Sequence, residues 1–118
     1  MHELSVAAAL ARAAEAEAAR HGAVRVLALR LRVGALTDLD PEALRFGWEV
    51  IAGEDGPLAG AALRIDRVPV TVGCRDCGRE GPALPPGVSC GACGSPRTRV
   101  LTGEELDLTE VELDVPEG

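Results

Sequence analysis

The chain has no lysine and no tyrosine, and its only aromatic residues are Phe46 and Trp48. With so few rings the core has to be built from Leu, Val, Ile and Ala, and no platform exists on which nucleic-acid bases could stack. Long apolar runs are missing too. Nothing approaches the ~20 residues of a membrane span, and the charged start Met1-His2-Glu3 does not resemble a signal peptide. Positive charge is scarce: twelve arginines face nineteen carboxylates, a net charge of −7. A surface of that sign repels phosphate backbones, which disfavours nucleic-acid partners and suits cations. With two histidines and four cysteines, all four taken up by the motif described next, no Ser/His/Asp or Cys/His nucleophile set can be assembled, so a binding or carrier protein is expected rather than an enzyme. The expected setting is the cytoplasm, with no membrane partner. Thiols stay reduced there, and paired CxxC motifs read as metal sites.

What is present is a doubled knuckle. Cys74-Arg75-Asp76-Cys77-Gly78 and Cys90-Gly91-Ala92-Cys93-Gly94 stand twelve residues apart. Each CxxC puts two thiolates on one tight turn, and the following glycine lets the backbone fold back so that amide N–H groups point at sulfur. Two facing turns complete a tetrahedral four-sulfur site for Zn2+ with no open position, a structural rather than a reactive centre. Two disulfides in an exported protein, or iron in a rubredoxin-like electron carrier, are compatible with the same spacing. Between the knuckles lie Pro82, Pro85, Pro86 and Gly87 with few apolar residues, so metal binding has to supply much of this segment's folding free energy.

At 118 residues the chain has room for one compact domain and a small metal-held module. Residues 3–20 are Ala-rich without Gly or Pro and predict a helix, stopped at Gly22. Leu27, Leu29, Leu31 and Val33 alternate with Arg30 and Arg32, the two-residue repeat of a strand. Asp40-Pro41 reads as N-cap and first residue of a second helix running through Leu44, Phe46, Trp48 and Ile51. Strand periodicity returns at Leu63–Val72, with Pro69 marking an end or edge, and again at 106–115, where a change of phase predicts a bulge. Arginines on the early strands and carboxylates on the last (Asp107, Glu110, Glu112, Asp114) predict that the C-terminal strand joins the same sheet. The expected fold is α+β: two helices packed on a small, mainly antiparallel sheet, with a zinc-ribbon-like module inserted. Residues 1–69 and 101–118 form one domain and 70–100 the zinc domain.

The chain start carries a second candidate site. The imidazole of His2, the α-amine of Met1 and the amide nitrogen between them can close fused chelate rings, and planar nitrogen donors suit Ni(II) or Cu(II). Glu3 adds a carboxylate nearby.

These features together resemble the HypA/HybF family of hydrogenase-maturation nickel metallochaperones. The resemblance is carried by Met1-His2-Glu3-Leu4-Ser5, by Arg30–Leu36, by Pro41–Phe46 and by the late double CxxC. It implies Ni2+ as transferred cargo, held by Met1 and His2 with backbone nitrogen and with Glu3 and Asp40, although the N-cap role accounts for Asp40 by itself. It also implies structural Zn2+ at Cys74, Cys77, Cys90 and Cys93. Delivery would run to the precursor of the [NiFe]-hydrogenase large subunit with a HypB-type GTPase, and in some organisms relatives serve urease maturation. Some members place histidines beside the zinc cysteines; here those neighbours are Arg79, Glu80, Ser95 and Pro96, which argues against a histidine-based switch. His21 reads as a surface residue complementing a helix end. The rival reading, a zinc-ribbon module binding protein or nucleic acid, conflicts with the acidic charge.

Overall fold

A computed structural model describes residues 3–116. In chain order the elements are α1 (Glu3–Arg20), β1 (Arg25–Gly34), α2 (Pro41–Ala52), β2 (Ala62–Val68), β3 (Thr71–Cys74), β4 (Glu80–Leu84), β5 (Ser89–Cys90), β6 (Thr98–Thr102) and β7 (Leu106–Asp114). The strands form two sheets, ordered β2-β1-β7 and β5-β4-β3-β6. The chain divides into two compact units. One comprises Met1–Leu31, Asp38–Asp66 and Asp107–Gly118, and the other Arg32–Thr37 and Arg67–Leu106.

In the first unit α1 buries Val6, Ala7, Leu10, Ala11, Ala14 and Ala18, one face at helical spacing made mostly of alanine. Such a smooth face lets α2 come close: a Cβ at Gly47 would lie 3.6 Å from the Leu4 Cα. α1 closes with Gly22 at φ 64° and with Ala23 N–H on the Ala18 carbonyl and Gly22 N–H on that of Ala19, a Schellman stop. α2 opens as its sequence predicts, Asp40 accepting the Glu42 N–H with Pro41 next. The two aromatics part company. Trp48 is buried and donates its indole N–H to the Ala61 carbonyl at 2.9 Å, whereas Phe46 is 69% exposed beside exposed Val50.

Two of the expected features of the sheet are present. β7 does flank β1, and the opposite charges meet in Arg25–Asp114, Arg30–Glu110 and Arg64–Glu112 pairs. Successive exposed residues Thr109 and Glu110 mark the phase change of β7, and β1 shifts phase as well, at Ala28 and Leu29. β1 and β7 run antiparallel, Val24 bonding Asp114 while Thr109 reaches the Arg30 carbonyl. β1 and β2 run parallel: Val26 bonds to Pro57 and, further on, Arg30 pairs with Asp66. The α2 crossover makes that direction possible.

The second unit holds the four-stranded sheet, whose β3–β4, β3–β6 and β4–β5 pairs are all antiparallel. It takes in Arg32–Thr37, which the sequence reading grouped with the helices. The reason is hydrogen bonding: Gly34, Ala35 and Leu36 donate to the carbonyls of Glu105, Val68 and Gly103. Backbones approach so closely here that a Cβ on Gly34 would run into the Gly103 carbonyl. Strands β4, β5 and β6 had no sequence signal, being short, with Pro82 inside β4.

Charge is unevenly shared. The second unit has six arginines against four carboxylates, and the remaining six arginines face fifteen carboxylates in the first. The acidity that argues against polyanions therefore belongs to the helical unit.

Candidate metal centre

β3 ends in Cys74 and β5 ends in Cys90, so each knuckle grows from a strand end. The two turns repeat one another. Gly78 N–H bonds back to the Cys74 carbonyl and Gly94 N–H to that of Cys90, with φ near +77° at both glycines, a conformation glycine adopts without penalty. Amides point at sulfur as the motif predicts: those of Asp76 and Cys77 at Cys74 Sγ, and that of Ala92 at Cys90 Sγ, each at 3.4 Å. All four sulfurs lie within 4.8 Å of one another, Cys74 and Cys90 buried, Cys77 and Cys93 exposed. Across the knuckles Cys74 sits 3.6 Å from Cys93 and Cys77 3.7 Å from Cys90.

Their electrostatics follow from that geometry. The Cys77 and Asp76 amides hold the Cys74 thiol down to about 6, and the amides of Cys93 and Ala92 lower Cys90 in the same way. Cys93 takes up the opposing strain. Although the Ser95 amide pulls it down, its sulfur neighbours and desolvation push it up to about 12, because four thiolates cannot all ionise at this distance. A bound dication removes that repulsion. The donor set, four soft sulfurs around one point, fits a tetrahedral metal ion.

The other candidates are only partly within view. Met1 and His2 lie outside the described residues. Glu3 and Asp40, thirty-seven residues apart, are brought together: Asp40 donates its backbone N–H to Glu3 Oε2 at 3.0 Å while its own Oδ1 accepts from Glu42. His21, just past the end of α1, is exposed and pairs with Glu17 of that helix at 3.4 Å.

The family model for "Hydrogenase/urease nickel incorporation, metallochaperone, hypA" matches residues 1–113. The chain belongs to the HypA family. Among its relatives, the hydrogenase maturation factor HypA of Solidesulfovibrio magneticus is 40% identical, over 97% of this chain and all of the relative. That of Deinococcus radiodurans is 44% identical, over 92% and 89%. The solution structure of the Ni metallochaperone HypA from Helicobacter pylori shares the fold, with a TM-score of 0.69, 24% identity and coverage of 98% and 100%. HypA proteins are metallochaperones, not enzymes. No helix among the described residues is long and apolar enough to cross a membrane.

Sequence reasoning missed the side chains that surround the four cysteines. Ser95 donates its hydroxyl to Asp76 across the knuckles, and Arg97 bonds the other oxygen of Asp76 at 3.1 Å. An acidic residue inside one CxxC and a serine just after the other was the available signal.

Proposed function

We propose that this chain is a nickel metallochaperone that binds Ni(II) at its N-terminus and delivers it, with a HypB-type GTPase, to the [NiFe]-hydrogenase large subunit precursor, in the cytoplasm. Cys74, Cys77, Cys90 and Cys93 hold a structural Zn2+ ion that keeps the second unit folded. One observation carries the reading: the family match runs from residue 1 to residue 113 and takes in both candidate sites. The meeting of Glu3 with the start of α2 supports it, since the Asp40 N–H holds the side-chain carboxylate of the residue after His2. The nickel donors are the Met1 amine, the intervening amide nitrogen and the His2 imidazole, with Glu3 and Asp40 as carboxylate donors. A chelate of this kind can open by moving one short segment, which suits an ion that must be handed on. Four thiolates around zinc leave no position for a second ligand, so the two ions have separate tasks.

Nickel titration by calorimetry on untagged protein tests this directly, beside His2→Ala and metal analysis for zinc. One nickel per chain, lost in His2→Ala with zinc content unchanged, is the expected result. Nickel binding that survives in His2→Ala, or disappears with the cysteines, would overturn the assignment.

A further inference from the structure

The two knuckles are joined by a set of polar side chains that no ligand role explains. Asp76, inside the first CxxC, uses one carboxylate oxygen to accept the Ser95 hydroxyl and the other to accept the Arg97 guanidinium at 3.1 Å. Ser95 Oγ in turn accepts the Arg97 backbone N–H at 3.1 Å, so the hydroxyl donates once and accepts once. Both ends reach a cysteine, one at its sulfur and the other at its backbone. Asp76 N–H points at Cys74 Sγ, and the Ser95 carbonyl accepts the Cys90 N–H at 2.9 Å. A sixth bond, Arg75 N–H to the Arg97 carbonyl at 2.8 Å, runs beside them.

We propose that Asp76, Ser95 and Arg97 form a clasp that fixes the two knuckles against each other and slows loss of the metal ion from the four cysteines. They are positioning residues, acting through the Cys74 sulfur and the Cys90 backbone N–H. The inference rests on reading the four cysteines as a zinc site. An exposed ion pair alone contributes little. Here both carboxylate oxygens are used and the hydroxyl is held from two sides, so a dissociating knuckle must break several bonds together. The β3–β6 and β4–β5 ladders fix the strand ends from which the knuckles grow; the clasp adds side-chain bonds between the turns themselves, one of which must swing away for an ion to leave.

The test uses the full zinc-loaded chain mixed with excess chromogenic chelator, with the release rate followed by absorbance. Ser95→Ala removes the hydroxyl. Asp76→Asn puts an amide donor against either the hydroxyl or the guanidinium. Each should release zinc about tenfold faster, the lower end for changes outside the ligand sphere. Ser95→Thr keeps a hydroxyl and should stay near the wild-type rate. Because the two residues act in one network, the Asp76→Asn/Ser95→Ala double variant should be no faster than the faster single. Cobalt(II)-loaded variants should keep the wild-type tetrathiolate spectrum, since no ligand has changed. Release within twofold of wild type in both singles, effects that multiply in the double, or a Ser95→Thr protein as fast as Ser95→Ala would overturn the clasp alone. A wild-type chain that binds no zinc would overturn the site and the clasp together.

Discussion

Removing zinc should unfold the second unit and spare the first. Of the twenty-one buried hydrophobic residues among those described, only Val33, Val72, Cys74 and Cys90 belong to the second unit, and two of those four are proposed ligands. Structural zinc in small modules contributes roughly 10–16 kcal/mol near neutral pH, comparable with or larger than the ~5–15 kcal/mol that holds a whole domain. A unit with two buried valines cannot replace that. The helices, by contrast, bury Leu10, Leu44 and Trp48 with no cysteine nearby in sequence. Chelation by EDTA or Cys74→Ala should therefore leave helical circular dichroism at 222 nm within about a tenth of its starting value, while amides of residues 70–100 lose hydrogen-exchange protection. Acid works in the same direction. Cys74 is held down to about 6 from an ordinary 9.0, so the folded module favours the thiolate. Its contribution is complete above that ordinary value and fades as pH falls toward 6; protons compete with metal in the same sense. Loss of most of the helical signal on chelation would refute the reasoning, because it would make the zinc ion part of the helical unit's stability.

Asp40→Ala removes the α2 cap and should lower stability by about 1 kcal/mol, or about 4 °C in Tm, whereas Asp40→Ser should restore most of it in thermal melts. Gly34→Ala drives a methyl group into the Gly103 carbonyl and should cost about 3 kcal/mol in urea unfolding; a loss under about 0.5 kcal/mol would mean that the backbone yields there. Nickel affinity should fall with pH more steeply than for an imidazole alone, because the Met1 amine, with an unperturbed pKa of about 8, and the amide nitrogen must also give up protons. An N-terminal tag, which converts that amine into an amide, should weaken binding as much as His2→Ala in calorimetry, while a histidine-free C-terminal tag should not.

How much of this was legible in the sequence depended on how local the cause was. The Asp40-Pro41 start of α2, the Gly22 stop of α1 and the two cysteine turns are each decided within a few residues, and each is present as read. Cross-strand charge carried one non-local inference, that β7 lies beside β1, because Arg30 and Glu110 have a partner preference that can be read at a distance. Where the deciding partner lay elsewhere, the sequence was mute. Phe46 reads only as one of the apolar residues along α2, and Trp48 and Leu44, one turn apart, take the buried face and leave it exposed. Residues 32–37 look like the end of a strand in the first domain, and only hydrogen bonds to Val68, Gly103 and Glu105 draw them into the second unit. Strands β4 to β6 are too short for periodicity to show, and pairing through backbone groups leaves no side-chain trace. Asp76 and Ser95 are unremarkable apart, since an aspartate in a turn and a serine after one need no special explanation. Their meeting depends on the two knuckles facing each other, a consequence of the four cysteines. The motif therefore pointed directly to the four cysteines that cluster, whereas the contact between Asp76 and Ser95 follows only from the way the two turns face each other.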